Sequence, residues 1–210
     1  MAAANGPPHD DTGARHGEDR GPGPQVGAGL LAHYLPYYSF GHRYAALVPC
    51  GDIARVYAIA RNVDMARSRW ILLLFRLRGL PRSRLRAQAF CTAMGWTELV
   101  HAPPREFIIA YWRGGPGNRI RRIADPAQFA APTEGATQKV AFSFRFVQHD
   151  GAHVAVITET RVLCIGWRSW LAFYPYWLMI KPFSGLVRTE ILRLIAKQAC
   201  ADQFGAGAAP

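Results

Sequence analysis

Few side chains in this sequence could do chemistry. The acid–base candidates are Glu106 and Glu159, which sit in strand-like surroundings, and His101 and His153, which lie at strand ends. No serine or cysteine has a base visible beside it, so no activated nucleophile is expected. The seven histidines (9, 16, 33, 42, 101, 149 and 153) show no ligand spacing, and neither do the four cysteines (50, 91, 164 and 200). Neither a metal site nor another cofactor is therefore expected. Gly114-Gly115-Pro116-Gly117 lacks the Lys-Ser/Thr pair and helix start of a phosphate loop. What remains are groups that can orient a bound molecule: the hydroxyls of Thr158 and Thr160, and the phenols of Tyr57, Tyr111, Tyr174 and Tyr176.

These residues are organised by the stretch from Lys139 to Cys200. Val140, Phe142, Phe144 and Phe146 recur at a spacing of two and share one face of a strand over 140–147. Val154, Val156, Thr158, Thr160 and Val162 do the same over 153–163. A loop over 149–151 with Gly151 in the left-handed region pairs Phe146 with Val154, Phe144 with Val156, Phe142 with Thr158 and Val140 with Thr160. Arg145, Glu159 and Arg161 then share the opposite, solvated face. After Gly166 the period becomes helical: Trp170, Phe173, Tyr174 and Trp177 form one stripe, and Val187, Ile191, Leu194 and Ile195 continue it. Glu190, Arg193 and Lys197 are its wet side. Pro175 and Pro182 predict a bent helix or two helices in series, with the bend near 181–185 at Ser184-Gly185.

Upstream, 44–48 reads as a strand, and Asp52 opens a helix that buries Ile53, Val56, Tyr57 and Ala60 and stops near Asn62. Asp64 caps a second helix through Leu77, and 85–94 gives a short third one. Segments 96–100 and 106–112 form a hairpin turned at Ala102-Pro103-Pro104-Arg105. Arg119, Arg121 and Arg122 fall in a loop, and Phe129 in a brief strand. Strands grouped together with helices on one face make an α+β arrangement with a pocket between sheet and last helix. One domain spans 30–200. Residues 1–29, with seven glycines and four prolines, and residues 201–210 read as disordered tails.

The formal net charge is +11, with 22 of the 25 cationic residues arginine. No recognition helix or nucleic-acid motif gathers them, which argues against a nucleic-acid partner. Nine arginines lie between residues 55 and 86, against Asp52 and Asp64 alone, and an apolar run over 65–86 rimmed by them suits an anionic membrane surface. No apolar run reaches the roughly 18–20 residues that span a bilayer. With no compact signal segment and unpaired cysteines, a cytoplasmic protein is expected.

Several strings carry a family resemblance. Val48-Pro49-Cys50-Gly51-Asp52 with Val56-Tyr57 is similar to the first strand and helix opening of the START/Bet v 1-like (SRPBCC) superfamily, with Cys50-Gly51 where Ala-Pro is usual. Residues 157–162 and the later Lys181-Pro182-Phe183-Ser184-Gly185-Leu186 resemble a bacterial branch of that group. The resemblance covers about residues 33–200. It implies a helix-grip fold, a curved antiparallel sheet around a long C-terminal helix, as in polyketide cyclases and lipid-transfer domains. It also implies an apolar cavity for a lipid-, sterol- or polyketide-like ligand, and only some members catalyse a reaction. The expected cavity residues are Tyr57, Tyr111, Phe142, Phe144, Val156, Thr158, Thr160, Tyr174 and Trp177. Binding or carriage of a hydrophobic small molecule is the first expectation. A cyclase, dehydratase or isomerase using Glu106 or Glu159 is the second, and membrane association through 65–86 the third.

Overall fold

The computed structural model describes residues 29–77, 79 and 85–205, with side chains to residue 201. The expected N-terminal tail therefore lies, but for Gly29, outside the described residues, as do 206–210. In chain order the elements are α1 (Leu31–Tyr34), β1 (Phe40–Val48), α2 (Ile53–Asn62), α3 (Arg69–Leu77), α4 (Ala87–Ala93), β2 (Thr97–Ala102), β3 (Glu106–Gly114), β4 (Arg119–Arg121), α5 (Pro126–Ala130), β5 (Ala136–Gln148), β6 (Val154–Cys164) and α6 (Trp167–Gly205). The architecture is α+β. All strand pairs are antiparallel, in the order β1-β6-β5-β3-β2, with β4 pairing β3 beyond β2. The long α6 packs against β1, β6, α2 and α3.

Asp52 opens α2 as its side chain accepts from Ala54 N at 2.9 Å and Arg55 N at 3.1 Å, satisfying two donors that the first helical turn leaves free. Asp64 instead caps a separate 3-10 turn, Met65–Arg67, before α3 begins, so the expected single helix from Asp64 is divided at Ser68. Arg119–Arg121 is a strand, not loop, because it fills the stretch of β3 that β2 leaves unpaired. Phe129 lies in α5, capped by Asp125, rather than in a strand.

The β5–β6 register differs from expectation by two residues. Phe146 faces Val156, Phe144 faces Thr158, and Phe142 faces Thr160. The loop is longer because Asp150 organises it: its Oδ1 accepts from Ala152 N at 2.8 Å and His153 N at 2.7 Å, and His149 N donates to His153 O at 3.0 Å. Gly151 consequently has no need of a positive φ. A shift of two leaves every side chain on its expected face. Gly51 carries the steric demand here, since a Cβ on it would overlap the carbonyl oxygen of Gly151.

Both sheet faces are covered. On the front, α2, α3, α4 and α6 bury Val56, Ile71, Phe90, Ile191 and Ile195 against Phe144, Phe146, Val154 and Val156. On the back, Leu31, Leu35 and Phe129 cover Ile108, Ala110 and Ala141. The expected solvated face is therefore partly dry: Glu159 accepts from Arg161 Nε at 2.6 Å, while Arg161 Nη1 reaches Leu35 O at 2.8 Å and the guanidinium lies over the Tyr38 ring.

α6 runs unbroken through Pro175 and Pro182, and on through 201–205, where a disordered tail was expected. Both prolines are exposed. The carbonyls they free, on the also exposed Leu171 and Leu178, stand on the water-facing side, where hydration replaces the lost bond and the helix continues. Gly185 is no bend. It lets α6 approach β1, since a Cβ there would overlap Tyr44 Oη. Glu190, expected wet, is buried and accepts from Ser68 Oγ at 2.8 Å.

Candidate functional site

A cavity of about 580 Å³ lies between the front of the sheet and α2, α3, α4 and α6. Alternation places Phe107, Ile109 and Tyr111 of β3 and Val140, Phe142 and Phe144 of β5 on its wall, while their neighbours in sequence face the back. Trp96 lies stacked on Phe142, with ring centres 4.9 Å apart, and α6 contributes Phe173, Trp177 and Ile180. The exposed Leu77, Met179 and Phe183 mark the rim between α3 and α6.

Into this apolar wall α6 delivers Arg188, 8% exposed. Its Nη1 donates to Thr158 Oγ1 at 2.6 Å and its Nη2 to Thr160 Oγ1 at 3.0 Å. The guanidinium lies 4.8 Å from the centre of the Phe142 ring and 5.3 Å from that of Phe144. No carboxylate pairs with it among the described residues. Burial pushes its pKa down to about 10, which leaves it cationic at neutral pH. A charge held by hydroxyls and ring faces alone is poorly compensated.

One turn before Arg188, Ser184 also lines the cavity, with its Oγ 3.2 Å from His42 Nε2. Burial, then the charges of Arg188 and Lys181, push His42 down to about 4, so the imidazole is neutral. The ring is held by stacking on Trp177, but His42 Nδ1 is buried without a partner among the described residues, so it lacks the hydrogen-bonded acid of a catalytic triad. Farther along the sheet, Arg113 and Gln138 face each other across β3 and β5. Arg113 Nε, Gln138 Nε2 and Trp96 Nε1 are buried donors without partners among the described residues. The one acid on the lining, Glu98, is ion-paired with Arg61. Cys91 beside the cavity is pushed up to about 11 by burial, an inert thiol.

Of the residues expected at the cavity, Tyr111, Phe142, Phe144, Thr160 and Trp177 line it. Thr158 lies behind Arg188 as its hydrogen-bond acceptor. Val156 is packed beneath α2 and α6 in the core. Tyr57 is buried against Phe146, Phe107 and His101, outside the lining. Tyr174 stacks on Trp170 and meets Phe40 of β1, outside the cavity lining. Glu106 and Glu159 sit on the back of the sheet: Glu106 Oε2 accepts from Leu30 N at 2.8 Å, and Glu159 is held by Arg161. Neither reaches the cavity. His101 and His153 are remote as well, the latter in an ion pair with Asp150 at a turn.

Sequence reasoning missed Arg188, Arg113, Gln138 and the Ser184–His42 contact. For Arg188 a signal existed. It stands four residues after Ser184 and three before Ile191, on the stripe that the apolar residues of the helix occupy. No group of three or more potential metal ligands occurs among the described residues, and none of their helices is long and apolar enough to cross a membrane. Compared with known proteins, the chain matches no family model and no curated sequence.

Proposed function

We propose that this protein binds or carries a hydrophobic small molecule, lipid- or polyketide-like, in the cavity between sheet and α6, in the manner of the START/Bet v 1-like helix-grip group. The observation that carries the proposal is the hollow itself: about 580 Å³, walled by Phe107, Phe142, Phe144, Trp96 and Trp177, and roofed by one long helix. Small-molecule sites are typically clefts of about 300–1,000 Å³, mostly apolar with a few placed polar groups. The enzymatic alternative, a cyclase, dehydratase or isomerase, loses its two carboxylate candidates to the far side of the sheet. The test is native mass spectrometry of protein purified without detergent, together with titration of a lipophilic fluorescent probe. A co-purifying lipophile or saturable probe binding is expected, and filling the hollow with Ile109→Trp should abolish it while the fold survives. An empty protein that also ignores the probe overturns the proposal.

A second reading concerns delivery at a membrane surface. Beside the rim, α3 exposes Trp70, Leu73 and Leu77 along with Arg69 and Arg76. The outer side of α6 adds Trp167, Leu171, Leu178 and Met179. Several of the arginines in the expected 65–86 patch (78, 82 and 84) lie outside the described residues. Apolar side chains flanked by arginine suit an anionic interface. Co-sedimentation with vesicles of anionic but not neutral lipid, weakened by salt and by Trp70→Ser with Leu73→Ser, is the expected result. Equal behaviour toward both vesicle types overturns it.

A further inference from the structure

We infer that the cavity selects a lipophilic acid, whose single carboxylate is received by Arg188 and whose apolar body lies along the aromatic wall of β3 and β5. The inference rests on the carrier reading above and narrows it to one ligand class. The observations concern unanswered charge. A guanidinium offers five N–H donors, and two of Arg188's hydrogen bonds go to Thr158 and Thr160. Those hydroxyls and the rings of Phe142 and Phe144 hold the side chain in place without neutralising it. Acids that could do so are committed elsewhere: Glu98 to Arg61, and Glu190 to Ser68 and Arg193. A carboxylate docking on the remaining donors forms the strong, geometrically specific pair that arginine favours. Ser184, one turn earlier on the same wall, presents a hydroxyl toward the same space.

The charge count sets the head group. One buried cation matches one negative charge, whereas a phosphate monoester carries about −1.5 to −2 at neutral pH. Arg113, half-buried on the same wall with its Nε unpartnered among the described residues, stands opposite Gln138, four residues along β5 from Phe142. At strand rise that is roughly 13 Å away, too far to share a head group.

The experiment compares hexadecanoic acid, its methyl ester and hexadecyl phosphate by probe displacement at pH 7.5. Wild type should bind the acid at least about tenfold tighter than the ester, the lower end of a charge-assisted bond. Arg188→Met should keep ester affinity and bind acid and ester alike, while Arg113→Met keeps the preference. Equal binding of acid and ester by wild type overturns the inference, as does a preference that survives Arg188→Met. Tighter binding of the phosphate overturns the choice of head group. The wild-type comparison does not depend on any variant folding. If wild type binds ester and probe without favouring the acid, this inference alone falls. If it binds none of them, the carrier reading falls too.

Discussion

The two faces of the sheet are built from the same strands and differ in what they leave unfilled. On the back, Leu31, Leu35 and Phe129 close over Ile108 and Ala141, and most charges there find partners within the chain, Glu106 Oε1 excepted. Lys139 Nζ donates to Phe129 O at 2.6 Å and to Ala131 O, Arg161 holds Glu159 and Leu35 O, and Leu30 N donates to Glu106. On the front, a hollow of about 580 Å³ is bordered by Arg188, which has no carboxylate partner among the described residues, and by the unpartnered donors Arg113 Nε, Gln138 Nε2 and Trp96 Nε1. A folding chain gains nothing from leaving both together, since voids and unpaired polar groups each cost stability. The back is packed scaffold, and the front has the room that the proposed guest requires.

Truncation tests that contrast most strongly. Phe129→Ala removes a side chain 1% exposed and should cost about 3–5 kcal/mol in denaturant unfolding. Phe142→Ala, on a wall already facing empty space, should cost less than about 2 kcal/mol by the same logic and act mainly on probe affinity. Equal losses would mean that the front is packed core.

The faces should also respond to pH in opposite senses. His42, in front, is held neutral at about 4 against 6.5 when unfolded, so below pH 6.5 the unfolded chain takes a proton that the folded chain refuses. Its contribution is full above pH 6.5 and declines as pH falls toward 4, by up to about 3 kcal/mol. His42→Gln should flatten the urea midpoint across that window. A slope that persists would relocate the titration. Glu106, at the back, has its carboxyl raised by burial above the ordinary 4.5. Its contribution is full below pH 4.5 and is lost as pH rises through the raised value. Glu106→Gln should remove that smaller loss, read as a higher urea midpoint at neutral pH relative to acid.

Much of the scaffold was legible because it rests on periodicity. The alternation in β5 and β6, the Asp52 cap and the stripe of α6 each state their element directly. Register was not legible, because it depends on how the Asp150 carboxylate ties the loop, a three-dimensional choice that alternation does not encode. Helix continuity was left open because a proline permits either a bend or a break unless its side of the helix is known, and Pro175 and Pro182 face water. The cover on the back came from the irregular stretch around Leu31 and Leu35 and from Phe129, neither of which has a period to read. Of the site, the aromatic wall could be foreseen. Its charged group was overlooked although it keeps the spacing of the apolar stripe, since an arginine is by default solvated, and it is the approach of α6 to β6 that places Arg188 against Thr158 and Thr160.

The prolines of α6 have one more consequence. Each lacks the amide that would bond four residues back, so two rungs of the ladder are missing, and both fall in the half of the helix that spans the hollow. The half from Val187 onward keeps its full ladder and is anchored by Ile191, Leu192, Ile195 and Ala199. The first half is held instead by Trp170, Phe173 and Trp177 against Phe40 of β1, with the cavity beneath it. Amide hydrogens from Trp167 to Leu186 should trade with solvent sooner than those beyond, which makes this part of the roof the one that would have to yield to the guest we propose.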